Sequence, residues 1–350
     1  MNKIIFIFIL LALSGCSAKS ICRKPIVTDA IDTTNTKALQ VLSTGSTTNA
    51  YKPEVQPMLP REANFTEITL LLNGIFRNPH AKDIEGEVYL SIADFVYIFE
   101  TILPAEENTD WHSILLQNDS LYNINGVAFF PLNQIAEEFG LRLNWVHSRN
   151  TVIIALPEQL TTEPIFTAEA VPPHIIEQIT NSSFHENAHF DISHLAYLTV
   201  THIDFYGKSR IGHIIVANSI AEEVLDIFRE IYQAQFPIER IRLIDYYGAD
   251  DYYSMADNNS VGFNFRYISG TTTLSRHAWG MAIDINPVQN PFIRGDILWP
   301  VSGADYMDRT NVREGMILVD DAVYNAFTSR GWIWGGHWTL PIDYHHFERR

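Results

Sequence analysis

A chain of 350 residues, 46% of them hydrophobic, is long enough to bury two ordinary cores. Its formal net charge of −17 and the absence of any basic patch in the sequence exclude nucleic acid as a partner. Cys16 and Cys22 are the only cysteines and cannot build a disulfide framework, so stability must come from packing.

The N-terminus reads "MNKIIFIFILLALSGC", one Lys followed by an apolar run from Ile4 to Leu13. That run is too short to span a bilayer and fits the core of a signal peptide. Leu-Ser-Gly-Cys resembles the bacterial lipobox. The resemblance implies a lipoprotein signal over residues 1–15, a lipid anchor at Cys16, and an extracytoplasmic protein tethered to a membrane of the cell envelope. Residues 16–64 are rich in Thr, Ser, Asn and Pro, with no hydrophobic period, and read as a flexible tether.

Residues 65–156 contain an internal echo. "GEVYLSIADFVYIFE" starts at Gly86, and "GVAFFPLNQIAEEFG" starts at Gly126. Ile92, Phe95, Val96 and Phe99 in the first take the places of Leu132, Ile135, Ala136 and Phe139 in the second. Each unit predicts a strand turning into an amphipathic helix. "LRLNWVHSRNTVIIAL" adds a hairpin with Ser-Arg-Asn at its turn. From Gly126 onward this segment resembles the copper amine oxidase N-terminal domain, a small stalk-like α/β module. His112 and His147 are isolated and supply no metal cluster, so a copper oxidase is excluded and a spacer or wall-contact role is expected. Residues 157–187, with "TTEP" and "AVPPH", lack periodicity and read as a second linker.

Residues 188–350 hold the chemical signals. Ser219 and Glu222 form a capping-box pattern before a helix with Val224, Ile227, Phe228 and Ile231 on one face. A second helix is predicted from Asp321 to Arg330, ending at Gly331. "RIRLIDYY", "GMAIDIN" and "DYHHFE" are strand candidates. Helices against an antiparallel sheet give an α+β domain. In "SRHAWGMAIDINP", His277 and Asp284 would fall on opposite faces of one straight strand, and the break at Gly280 could let them converge. Asp343 and His346, three apart, need a bend or a loop. A catalytic zinc site wants three protein ligands and an open position, and His277, Asp284 and His346 would supply the three, with Asp343 left as an acid/base group.

The order Ser275, His277, Gly280, Ala282, Asp284, then Asp343 and His346 resembles the VanY-like zinc D-alanyl-D-alanine carboxypeptidases and related stem-peptide peptidases. Arg266, in "NNSVGFNFRYISG", takes the position of that family's active-site arginine. The resemblance spans roughly residues 191–350. It implies zinc held by His277, Asp284 and His346, general acid/base catalysis by Asp343, and substrate binding by Arg266 and Ser275. Its spacing favours His346 over the neighbouring His345 as ligand. Many relatives read Gly-Gly-Asp-Trp where this chain has "GGHW" with His337. Trp279, Trp334 and Trp338 read as core or groove aromatics. The expected activity is hydrolysis of peptidoglycan stem peptides, chiefly as a D-alanyl-D-alanine carboxypeptidase. The alternatives are an L-Ala-D-Glu endopeptidase and a non-catalytic wall-binding lipoprotein.

Overall fold

The computed structural model describes residues 66–350 except 78, 80, 85, 100–120, 125, 181 and 186–190. The signal over 1–15, Cys16, the tether over 16–64 and His112 lie outside the described residues.

The echo in the sequence is a repeat of structure. Strand Glu87–Ser91 runs into helix Ile92–Phe99, and strand Val127–Pro131 runs into helix Leu132–Phe139. Each strand is entered by the same turn: Asp83 Oδ1 accepts from the Gly86 N–H at 3.0 Å, and Asn123 Oδ1 from the Gly126 N–H at 2.9 Å. The two strands lie antiparallel, Leu90 opposite Phe130. Phe95, Leu132 and Ile135 are buried with them in one core. The hairpin forms as predicted, Arg142–Val146 paired with Thr151–Ala155, and the second of these strands pairs in parallel with Thr69–Leu72.

Residues 157–187 are not a linker. Phe166–Ala170 is a strand paired along its length with Leu195–Ile203, and Pro173–Ile179 is a helix whose Ile175 and Ile179 are buried. Both elements are too short to show a period in the sequence, and their stability comes from the sheet they cover.

The C-terminal part is α+β. A three-stranded antiparallel sheet is built from Phe166–Ala170, Leu195–Ile203 and Ser209–Ala217. Strand alternation sends Ala196, Leu198, Val200, Ile214 and Val216 to one face, against helix Ala221–Gln233, while Leu195, Tyr197 and Ile215 face helix Pro173–Ile179. The amphipathic helix has Val224, Ile227, Phe228 and Ile231 buried as predicted. Its capping box is not formed: Asn218–Ile220 is a 3-10 turn that leads straight into it, and Ile220 occupies the cap. The last helix is Ala322–Thr328, capped by Asp321, with Gly331 in a left-handed conformation shortly after it. "RIRLIDYY" contributes only Arg240–Ile241 as strand and turns into a 3-10 helix at Ile244–Tyr247.

A smaller sheet carries the site, with Ala282–Asp284, His346–Glu348 and Ile333–Trp334 in antiparallel pairing. The small N-terminal domain packs against the C-terminal one. Leu71, Val146 and Ile153 share an apolar cluster with Tyr247 and Tyr253. Arg142 donates to both oxygens of the buried Asp257 at 3.0 and 3.1 Å, and the Gly74 N–H donates to the Tyr246 carbonyl at 2.9 Å.

Candidate active site

Ser275 caps a 3-10 turn, Arg276–Trp279, its Oγ accepting from the His277 N–H at 3.3 Å. The turn ends at Gly280, whose φ of +64 is left-handed and whose added Cβ would lie 2.4 Å from the Ala217 nitrogen. Only glycine fits there, and the reversal it allows returns the chain to strand Ala282–Asp284. His277 and Asp284 therefore converge across the predicted break.

Register supplies the third group. Asp284 pairs with His346, and Ile283 with Phe347. Ile283 and Phe347 point into the main core, so Asp284 and His346 share the opposite face. Asp343 ends a separate short strand paired with Phe292–Arg294, and Tyr344 and His345 turn the chain into the next sheet. That turn is the bend that the three-residue spacing demanded.

His277 Nε2, Asp284 Oδ1 and His346 Nδ1 form a triangle with sides of 3.2, 3.2 and 2.9 Å. Donors on a tetrahedral zinc at 2.0–2.1 Å stand about 3.3 Å apart, so the three atoms fit such an ion. The other nitrogen of each imidazole is engaged elsewhere. His277 Nδ1 donates to the Gly262 carbonyl at 2.5 Å, and His346 Nε2 faces Glu348 Oε2 at 3.5 Å. This outer contact fixes ring orientation and leaves the inner nitrogen for a metal. All three residues are buried.

Electrostatics follow from that crowding. Burial pushes the Asp284 carboxyl up, but the imidazoles of His277 and His345 outweigh it and hold the group well below the usual carboxylate range. Burial pulls His346 down, yet its bonds to Asp284 and Glu348 raise it to about 10. The same opposition leaves His345 at about 9, raised by Asp343 and Asp284 against its burial. Metal binding here must displace a proton.

His345 lies beside the triangle and not within it. Its Nε2 is 2.9 Å from Asp343 Oδ1 and 3.8 Å from Asp284 Oδ2, and its Nδ1 is held by the Asn290 carbonyl at 2.7 Å. Arg266 comes close through the backbone: the Ser275 N–H donates to the Arg266 carbonyl at 3.0 Å, and the Asn264 N–H to the His277 carbonyl at 3.2 Å. Its guanidinium Nε pairs with Asp251 Oδ2. Trp338 stands 5.4 Å from the His346 ring, Trp334 is buried, and Trp279 is partly exposed. His337 is exposed and packs on Tyr324 and Trp334.

Asp251 and Glu348 were missed in the sequence. Glu348 had a signal, because a residue two beyond a ligand on a strand shares its face. Asp251 had none, since its partner is far along the chain.

Residues 269–349 match the family model described as D-alanyl-D-alanine carboxypeptidase. The match includes Ser275, His277, Asp284, Asp343 and His346, begins just after Arg266, and is shorter than the span the sequence suggested. No curated protein and no solved structure matches the chain. The two histidines and the aspartate are thus gathered inside the segment that is similar to this peptidase family.

Proposed function

We propose that the protein is a zinc-dependent peptidase of peptidoglycan stem peptides, acting as a D-alanyl-D-alanine carboxypeptidase from a membrane anchor at Cys16 in the cell envelope. The observation that carries this reading is the triangle of His277, Asp284 and His346 inside the segment that matches the carboxypeptidase family. The N,N,O donor set suits zinc, and His277, Asp284 and His346 would hold it. Zinc bound there would supply Lewis acidity and a nucleophile active near neutral pH.

The chain's own groups would do the rest. Asp343 takes the proton of the attacking water on a carboxylate oxygen and returns it to the departing amine. His345, 2.9 Å from Asp343 Oδ1, keeps that carboxylate oriented. The Arg266 guanidinium is suited to the terminal carboxylate of the stem peptide, where its planar fork binds in two-point fashion. Ser275 contributes by fixing the turn that carries His277.

Mass analysis of a stem pentapeptide digested by the purified protein, with and without a chelator, tests the reading. Loss of one D-alanine only without chelator supports it. A cut between L-Ala and D-Glu replaces it with the endopeptidase. An intact peptide beside fully zinc-loaded protein leaves a wall-binding protein.

A further inference from the structure

Arg266 is reached from outside the metal sheet. Asp251, the first residue of helix Asp251–Ala256, pairs through Oδ2 with Arg266 Nε and accepts through Oδ1 from Asn264 Nδ2 at 3.0 Å. This leaves the two terminal nitrogens of Arg266 without a partner among the described residues. The cap and other residues of that helix contact the small domain. Arg149 Nη1 pairs with Asp250 Oδ2 at 2.6 Å, and the same guanidinium lies 4.1 Å above the Tyr252 ring. Thr151 Oγ1 is 3.1 Å from the Tyr253 hydroxyl, and Asn144 Nδ2 donates to the Ala256 carbonyl at 2.8 Å. Neighbouring positions on one short helix thus hold the small domain on one side and the candidate substrate-binding arginine on the other.

We infer that the small domain positions Arg266 through this helix, with Asp251 as the positioning residue, and is a working part of the peptidase and not a spacer. The inference rests on the role given to Arg266 above. An arginine side chain is long and rotatable, and pairing its Nε while leaving the terminal fork open presents a preset two-point donor to a carboxylate. Six residues cannot hold a helix by local bonding, so the placement of Asp251 depends on what packs against it. In this chain Arg149, Thr151 and Asn144 supply that support from the small domain, beside Asn259 Nδ2, which donates to Ser254 Oγ at 3.0 Å from the C-terminal one.

The test uses the full chain loaded with zinc and a stem pentapeptide as substrate, together with amide exchange over residues 250–266. Asp251→Asn is expected to lower kcat/KM about fivefold, mainly through KM, with zinc content unchanged, and Asp251→Glu to restore part of the loss. Arg149→Ala should shift KM in the same direction and speed exchange across 262–266. Exchange at the wild-type rate in Arg149→Ala overturns the inference whatever the substrate proves to be. A wild-type KM in Asp251→Asn overturns it as well, provided that Arg266→Ala raises KM. A neutral Arg266→Ala removes the role given to that arginine, and is told apart because exchange still responds to Arg149→Ala.

Discussion

Asp343 and His345 face each other at 2.9 Å, and neither belongs to the triangle of donor atoms, so metal binding and proton transfer can be separated at this pair. Asp343→Asn should keep zinc and fold. Its amide cannot accept a proton, and turnover should fall at least about a hundredfold, about 2.7 kcal/mol of transition-state stabilisation. Zinc stoichiometry and single-turnover rate on one preparation check both halves, and a variant without zinc would make Asp343 a ligand. The histidines give a second prediction. His346 and His345 titrate at about 10 and about 9 in the metal-free fold, above the ordinary value of 6.5. A raised folded pKa contributes stability that is complete below the unfolded value and is lost as pH rises through the folded one. Asp284, held low, contributes above its ordinary 3.8 and loses that contribution as pH falls. Metal-free protein should therefore be most stable between about pH 4 and 6.5 and weaken toward pH 10. Zinc-loaded protein, in which His346 is already deprotonated and His345 still titrates, should weaken less over that alkaline range. Denaturant midpoints across pH with and without chelator decide it; identical alkaline slopes would count against the site.

Among the elements, the 3-10 turn and its glycine decide whether the candidate ligands meet. Gly280→Ala combines a left-handed φ with a Cβ 2.4 Å from the Ala217 nitrogen. The variant should lose at least about 1–3 kcal/mol of stability and bind zinc more weakly, because the turn holding His277 must shift. Unfolding midpoint and zinc titration measure the two effects. This break was legible in the sequence, because a glycine between two metal-competent residues at the wrong strand spacing announces a change of direction. So was the doubled strand–helix unit, where identical periodicity at two places reinforced a signal weak in either alone. The capping box was legible and false: a 3-10 turn fixed by the preceding strand took the cap. The strand and helix within 157–187 were illegible, because they gain their stability from the sheet and not from their own pattern. The preference for His346 over His345 came from family spacing, and in the structure it is His346 that stands directly opposite Asp284.

For the molecule as a whole, the contact between the two domains changes what removing the first would do. From sequence, residues 65–156 read as a spacer or wall-contact module. Asp257 is 1% exposed and depends on Arg142 as well as Arg240. Arg142→Ala would leave a buried carboxylate short of one partner and should cost roughly 1–3 kcal/mol, read as a lower denaturant midpoint. Because Leu71, Val146 and Ile153 share a cluster with Tyr247 and Tyr253, tryptophan fluorescence and far-ultraviolet dichroism should report one coincident transition. Two separated transitions would show that the domains fold independently. No single segment carries this coupling, since Arg142 and Asp257 are far apart in the chain and either alone reads as an ordinary surface charge. Its consequence is mechanical. A pull exerted on the small domain should be passed to the C-terminal one through Arg142, Arg149 and Gly74 and not through a slack joint, so that the two move together.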